Sequence, residues 1–143
     1  MKCPNGVSYI SIVSCLIYNN TFNISSLYGN NTLSINWLGT TYNLTFSNGY
    51  YAASDINSYI KSYCYTNGLY MTTSTGNIVY FIECTVNAVR YAISLNLYYI
   101  STSANATTLL YLLSSTISWT FPTTNSTPQV TFNTVFGSLI GQV

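Results

Sequence analysis

Two carboxylates, Asp55 and Glu83, are the only acidic side chains in the sequence. A pair of acids can hydrolyse a glycosidic bond when one protonates the leaving oxygen and the other acts as nucleophile or base. The sequence has no histidine, which is the commonest general base and a frequent metal ligand. Because each acid also has a structural interpretation, we expect no enzyme, with no catalytic residue, no metal ligand and no cofactor.

Tyrosine is the most abundant aromatic residue, with 15 copies. It provides a large contact area and a polar tip at low entropic cost, which is typical of binding surfaces. Two adjacent pairs stand out, Tyr50-Tyr51 and Tyr98-Tyr99, because in extended backbone one member of each pair points outward. We expect the outward members to stack on a sugar or on a neighbouring subunit, and the inward members to pack in the core.

Six Asn-X-Ser/Thr sequons are present and could mark a glycosylated surface. A chain rich in Asn, Ser and Thr also produces such triplets by chance. One of them lies inside a predicted strand, where a glycan fits only on an outward side chain. Glycosylation therefore stays an alternative. The six positions are Asn19, Asn23, Asn30, Asn43, Asn105 and Asn125.

The sequence has four cysteines, and none of them form a C-x-x-C pair, which argues against a structural zinc site. They are Cys3, Cys15, Cys64 and Cys84. They allow three disulfide pairings. A chain of this size and aromatic content does not need a disulfide, and free cysteine is a common small core residue. We expect mostly reduced, buried thiols.

One amphipathic helix is predicted over about 54–66. Ser54 is a good N-cap, Asp55 places a negative charge in the first turn, and Asn67-Gly68 provides a left-handed stop. Asp55 is thereby interpreted as a helix-start residue. Apolar side chains recur at helical spacing and are expected to face inward. They are Ile56, Tyr59, Ile60, Tyr63 and Cys64.

Short runs of β-branched and aromatic residues, separated by Gly, Asn and Ser, predict strands at intervals of roughly ten residues. The eight predicted strands are 9–16, 33–37, 41–47, 69–73, 78–84, 90–98, 117–121 and 129–133. This pattern predicts a mainly β fold, a jelly-roll-like antiparallel β-sandwich with one helix, in a single domain spanning 1–143.

Three hairpin turns are readable between these strands. Gly39 and Gly76 each lie between two predicted strands, as tight turns require. A third turn is predicted near residues 86–87. If that register is symmetric, Glu83 lies opposite Arg90, and the two form a cross-strand ion pair.

Charged residues make up only 3% of the chain, against roughly a quarter in ordinary soluble domains. The three bases, Lys2, Lys61 and Arg90, are too few for a nucleic-acid-binding patch. The apolar run at 108–113 is far shorter than the ~20 residues of a membrane-spanning helix, so no transmembrane segment is expected. Weak charge repulsion favours association, so we expect a homo-oligomer.

The central segment 48–84, "NGYYAASDINSYIKSYCYTNGLYMTTSTGNIVYFIEC", continues through "NAVRYAISLNLYYIST" to Thr102. It resembles β-rich capsid-associated and spike (fibre-head-like) proteins of eukaryotic double-stranded DNA viruses, namely polinton-like viruses, virophages and algal giant viruses. The resemblance implies a structural virion protein on the capsid surface, either a minor capsid, a penton-associated or a spike domain.

Such a protein is expected to act by homo-oligomeric assembly, for example as a trimer, beside other virion proteins. The alternative is a receptor- or glycan-binding adhesin or fibre head, whose partner is a host-surface glycan or receptor and whose location is the virion or the extracellular space. The tyrosine pairs suit both hypotheses, since each needs outward aromatic side chains.

Overall fold

The computed structural model describes residues 23–89, 92–114 and 117–132. Within these ranges, eight strands form three antiparallel sheets, accompanied by one long helix, one short helix and a 3₁₀ turn. The predicted mainly β, antiparallel fold is confirmed and is consistent with a β-sandwich. The jelly-roll order and the single domain stay predictions, and the predicted strand at 9–16 lies outside the described residues.

The first sheet has the order β2-β1-β8 and contains β1 (Thr32–Trp37), β2 (Thr40–Thr45) and β8 (Gln129–Phe132). A two-residue turn joins β1 to β2, and both of its residues have left-handed backbone, with φ of 49° at Leu38 and 87° at Gly39. Such a turn matches the right-handed twist of the flanking strands. The predicted hairpin is confirmed.

The second sheet has the order β4-β3-β7 and contains β3 (Tyr70–Thr73), β4 (Ile78–Tyr80) and β7 (Tyr111–Leu112). The turn between β3 and β4 holds Gly76 at a φ of 86°, a conformation that favours glycine. This hairpin is also confirmed. We call β4-β3-β7 the open sheet.

The third sheet pairs β5 (Ile82–Asn87) with β6 (Ala92–Leu97). The prediction of one strand over 78–84 is wrong, because Phe81 separates β4 from β5 and the two strands belong to different sheets. Phe81 is buried, so an unbroken apolar run in the sequence conceals the change of sheet.

The predicted strand at 117–121 is also wrong, since these residues form no backbone ladder. Side chains hold the segment instead. Trp119 packs edge-on against Trp37 with ring centroids 5.3 Å apart, and its Nε1 donates a hydrogen bond to the carbonyl of Gly68 at 2.6 Å. A short helix, α2 (Ser103–Thr108), was not predicted.

Helix α1 (Ala53–Thr66) begins one residue before the predicted start. Its N-cap is Ala52 rather than Ser54, which lies inside the first turn. Asp55 reaches back, and its Oδ2 accepts a hydrogen bond from the Ala52 N–H at 2.9 Å. The acidic side chain at the third helical position thus satisfies the N-cap N–H, as in one half of a capping box, while alanine offers no side-chain acceptor to the first turn.

The C-terminal end of α1 is a Schellman motif. The N–H of Leu69 donates to the carbonyl of Cys64 at 2.7 Å, and the N–H of Gly68 donates to that of Tyr65 at 3.2 Å. Gly68 has the left-handed φ of 70° that this motif requires. The predicted stop is confirmed.

The hydrophobic core lies between α1 and the sheets. Of the five predicted inward positions of α1, three are buried, at Ile56, Ile60 and Cys64. Tyr59 and Tyr63 are only partly covered. The sheets contribute buried side chains from several strands. These include Leu33, Ile35, Trp37, Leu44, Met71 and Ile82.

Candidate functional site

One flank of α1 covers an edge of the first sheet. Strand β2 is an edge strand within the described residues. The hydroxyl of Tyr59 donates to the carbonyl of Thr45 at 3.1 Å, and the hydroxyl of Tyr63 donates to that of Asn43 at 2.9 Å. The two tyrosines that the helical pattern predicted as core residues therefore occupy the strand edge, which would otherwise be a template for another chain.

The other flank of α1 covers β5 in the third sheet. The Oδ1 of Asn57 accepts a hydrogen bond from the N–H of Cys84 at 2.9 Å. One turn further along the helix, the Nζ of Lys61 forms an ion pair with the Oε1 of Glu83 at 2.8 Å. The helix therefore bridges the edges of two sheets through polar side chains.

The predicted hairpin register, which placed Glu83 opposite Arg90, is wrong. The β5–β6 register places Asn96 opposite Glu83 and Ala92 opposite Asn87, so the turn lies beyond residues 86–87. A longer β5 moves the centre of the hairpin toward the C-terminus, which shifts every cross-strand partner. Arg90 itself lies outside the described residues.

Lys61 also determines the electrostatics of Glu83. The hydrogen bond and the positive charge of Lys61 hold the pKa of the Glu83 carboxyl below its ordinary value, against a smaller opposing effect of burial. Both side chains are about one-third exposed, so solvent weakens their attraction. The pair orients α1 on β5 more than it stabilises the fold.

Each acid thus has its own structural partner, Asp55 at the start of α1 and Glu83 on Lys61. Within the described ranges, no group of three or more His, Cys, Asp or Glu side chains is placed to hold a metal ion. No helix in these ranges has the length and apolar character needed to span a membrane.

A cavity of about 320 Å³ opens between the open sheet and the chain that follows β6. Val79 and Phe81 form part of its lining, with Leu109 from the end of α2. Four tyrosines converge on it, and we call it the tyrosine pocket. They are Tyr80, Tyr98, Tyr99 and Tyr111.

The two tyrosine pairs singled out in the sequence behave differently. Tyr98 and Tyr99 are 47% and 52% exposed, and both line the tyrosine pocket. Tyr50 is 71% exposed and lies outside it. Tyr51 is half-buried against Phe46, with ring centroids 5.5 Å apart, and its hydroxyl donates to a backbone carbonyl. Of the two pairs, it is the second that lines the tyrosine pocket.

Sequence reasoning did not place three residues in or beside this pocket, namely Tyr80, Tyr111 and Lys61. Tyr80 and Tyr111 come from different strands, and nothing local in the sequence connects them to the Tyr98-Tyr99 pair. Lys61 lies with its Nζ 5.6 Å from the centroid of the Tyr80 ring, and the Tyr98 hydroxyl is 3.5 Å from Glu83. The rarity of charge was the available signal, since two of the five charged residues meet beside this pocket.

Two of the sequons are engaged in the fold. Asn30 is fully buried, and its amide bonds the backbone of Asn23 and Ser25. The amide of Asn23 bonds both the N–H and the carbonyl of Tyr51 at 2.8 Å. A glycan at Asn30 is therefore incompatible with this fold.

The other sequons differ in their settings. Asn43 is exposed on β2, where its Oδ1 accepts a hydrogen bond from the Ser34 hydroxyl, and Asn125 is exposed in a loop, where its Oδ1 accepts one from the Thr102 N–H. Asn105 lies in α2. Asn19 lies outside the described residues.

Two cysteines are described, and both are free and buried. Burial raises the pKa of the Cys64 thiol to about 12 and that of the Cys84 thiol to about 11. Both are therefore protonated and unreactive near neutral pH. Cys3 and Cys15 lie outside the described residues.

Large apolar side chains remain exposed on and beside the open sheet. Ile78 and Leu112 both pair in register with Thr72, so the three form one row on the same face. Leu112 is 53% exposed and Leu110 is 61% exposed.

Comparisons with protein families, curated proteins and solved structures find no match to this chain.

Proposed function

We propose that this chain is a structural protein that works by assembling with copies of itself on the surface of a virus particle. The observation that carries the assembly proposal is the apolar row of the open sheet, with Ile78 and Leu112 exposed on either side of Thr72. An exposed apolar face of this kind is typical of an interface between subunits.

The backbone of Leu110 supports the same interpretation. Its φ of 57° is left-handed, which costs a leucine about 1 kcal/mol. The carbonyl of Leu110 accepts a hydrogen bond from the N–H of Ser74 at 2.9 Å, and this holds the strained residue beside the open sheet. A strained backbone and an exposed apolar side chain thus coincide beside the apolar row, as expected where a partner covers the residue.

Charge does not oppose such an assembly. Within the described ranges the charged side chains are Asp55, Lys61 and Glu83, and the last two neutralise each other. Two copies that approach through their open sheets therefore meet little electrostatic repulsion. The same face on two identical chains makes an isologous contact, which closes as a two-fold dimer, whereas a trimer needs contact between two different faces.

The strand edges leave the open sheet available for a contact. Side chains of α1 bond the edges of β2 and β5, which blocks strand addition there. The other described edge strands, β4, β6, β7 and β8, receive no such bond from α1, and β4 and β7 belong to the sheet with the apolar row.

The virion location rests on the resemblance of residues 48–102 to capsid-associated and spike proteins. This segment contains α1 and strands β3–β6, and it ends at the tyrosine pocket. The expected partners beyond a second copy are other virion proteins. Mass spectrometry of purified particles tests this location: the chain should be present in them, and its absence would contradict the virion role.

Sedimentation velocity over a range of protein concentrations tests the assembly. The unaltered chain should associate, and Leu112→Lys should weaken association about ten-fold or more, because a charge would be buried in the contact. Leu27→Lys is the matched control, since Leu27 is exposed on the 3₁₀ turn (Ser26–Tyr28) and away from the open sheet. A chain that stays monomeric, or equal effects of the two variants, would contradict the proposal.

A further inference from the structure

The tyrosine pocket combines aromatic surface with hydroxyl groups. Its volume of about 320 Å³ falls within the range of small-molecule sites, roughly 300–1,000 Å³. Tyr80 and Tyr111 are half-buried, while Tyr98 and Tyr99 are exposed. Ser101 is buried and also belongs to the lining. The pocket therefore offers ring faces and hydroxyl groups in one cavity.

The described residues that line the pocket carry no charge. The charges nearest to its lining, among the described residues, are Lys61 and Glu83, which are paired with each other at 2.8 Å. A phosphate or carboxylate would need an unpaired cation, and an ammonium group would need an unpaired anion. The pocket therefore fits a neutral ligand.

The hydroxyl groups further restrict the ligand. A tyrosine hydroxyl is protonated near neutral pH and can donate a hydrogen bond, and burial raises the pKa of Tyr80 further. A purely apolar ligand would remove water from such hydroxyls without replacing its hydrogen bonds, which carries a free-energy cost. A ligand with both an apolar face and hydroxyls avoids that cost.

We propose that the tyrosine pocket binds a neutral saccharide. A pyranose ring has a face rich in C–H groups, which packs on the electron-rich face of an aromatic ring, and a rim of hydroxyls for the polar groups. Tyr98 and Tyr99 provide the exposed stacking surface, and Tyr80, Tyr111 and Ser101 surround the ring. The pocket lies within one chain, so this proposal does not rest on the assembly.

An array of neutral and charged oligosaccharides, probed with the intact chain, tests the proposal. Neutral glycans should be retained and their sialylated or sulfated forms should gain nothing. In titrations with the retained glycan, Tyr98→Ala and Tyr99→Ala should each weaken binding about ten-fold, as loss of an aromatic contact predicts. Tyr50→Ala is the matched control, because Tyr50 is an exposed tyrosine outside the pocket and its loss should change nothing.

Cyclohexanol, an apolar ring of similar size, separates a saccharide site from a general apolar cavity. It should compete weakly with the glycan. Retention of no neutral glycan, equal effects of Tyr99→Ala and Tyr50→Ala, or equally strong binding of cyclohexanol would each overturn the proposal. Titrations at concentrations where sedimentation finds a monomer keep this result separate from the assembly test, and both altered side chains are exposed enough for the variants to fold.

Discussion

The edges beside helix α1 and the edges of the open sheet differ in what covers them. On one side, Tyr59 and Tyr63 bond two carbonyls of β2, and Asn57 bonds an N–H of β5. On the other, β4 and β7 receive no such bond from α1, and their exposed side chains include Ile78 and Leu112. In the described part of the chain, α1 thus blocks strand addition at β2 and β5, and the open sheet presents an apolar row that a partner can cover.

The largest expected effect comes from detaching α1 from the core. Ile60 is 1% exposed within the hydrophobic core. Ile60→Ala should lower the free energy of unfolding by about 2–5 kcal/mol, because it removes buried methyl groups and leaves a cavity. Urea denaturation measures this loss. Ser62→Ala, on the exposed side of the same helix, should stay within about 0.5 kcal/mol.

If Ile60→Ala destabilises no more than Ser62→Ala does, α1 is not held by its apolar stripe. The comparison between covered and open edges would then lose its basis, because a helix that is not fixed to the core cannot protect β2 and β5.

A second effect concerns the end of α1. Gly68 has a left-handed backbone, and an added Cβ would lie 2.7 Å from the Cγ2 of Ile117. Gly68→Ala should therefore cost about 2–3 kcal/mol, the sum of backbone strain and overpacking. Gly76→Ala has the same kind of backbone but open space around its Cβ, and it should cost about 1 kcal/mol. Thermal unfolding compares the two, and equal losses would mean that Ile117 does not pack on the helix end.

A third effect tests the covered edge of β2 directly. The double variant Tyr59→Phe/Tyr63→Phe removes two hydroxyls and keeps both rings, so it should cost about 1–2 kcal/mol. It should also increase light scattering, because two carbonyls of an edge strand become available to another chain. Tyr65→Phe, on a ring that stacks on Tyr70, is the control. Unchanged scattering in the double variant would show that these hydroxyls do not block association.

The smallest effect concerns the ion pair that joins α1 to β5. The folded-state pKa of Glu83 is lowered, so its contribution is fully present above the unfolded pKa, about 4.3. The contribution is lost as pH falls through the folded-state pKa. For a partly exposed pair it is at most about 1 kcal/mol. Urea denaturation at pH 7 and at pH 3 should find that Glu83→Gln destabilises the chain only at pH 7.

An equal loss at both pH values would mean that Glu83 acts through packing rather than through its charge. Lys61→Met, which keeps most of the side-chain length without the charge, should reproduce the pH dependence of Glu83→Gln.

Local signals in the sequence predicted the parts of the fold that are locally determined. Gly39 and Gly76 mark hairpins because tight turns need left-handed residues, and Gly68 marks the end of α1 for the same reason. Short runs of β-branched and aromatic residues between turn residues predicted β1 and β2 to within two residues. Each of these features depends on a few neighbours in the chain.

Features that depend on distant residues were not predictable in the same way. Glu83 pairs with Lys61, 22 residues earlier, a contact that no local pattern in the sequence indicates. Residues 117–121 have the composition of a strand but are held by Trp119. The tyrosine pocket combines three segments of the chain, and only Tyr98 and Tyr99 carry a sequence signal, their adjacency.

Amide hydrogen exchange measured at increasing protein concentration tests the central contrast most directly. Exchange at β4 and β7 should slow as the chain associates, because a second copy covers the open sheet. Exchange at β2 and β5 should stay constant, because α1 already covers these strands in a single chain. Slowing confined to β2 and β5, or no change at β4 and β7 in an associated sample, would contradict this account.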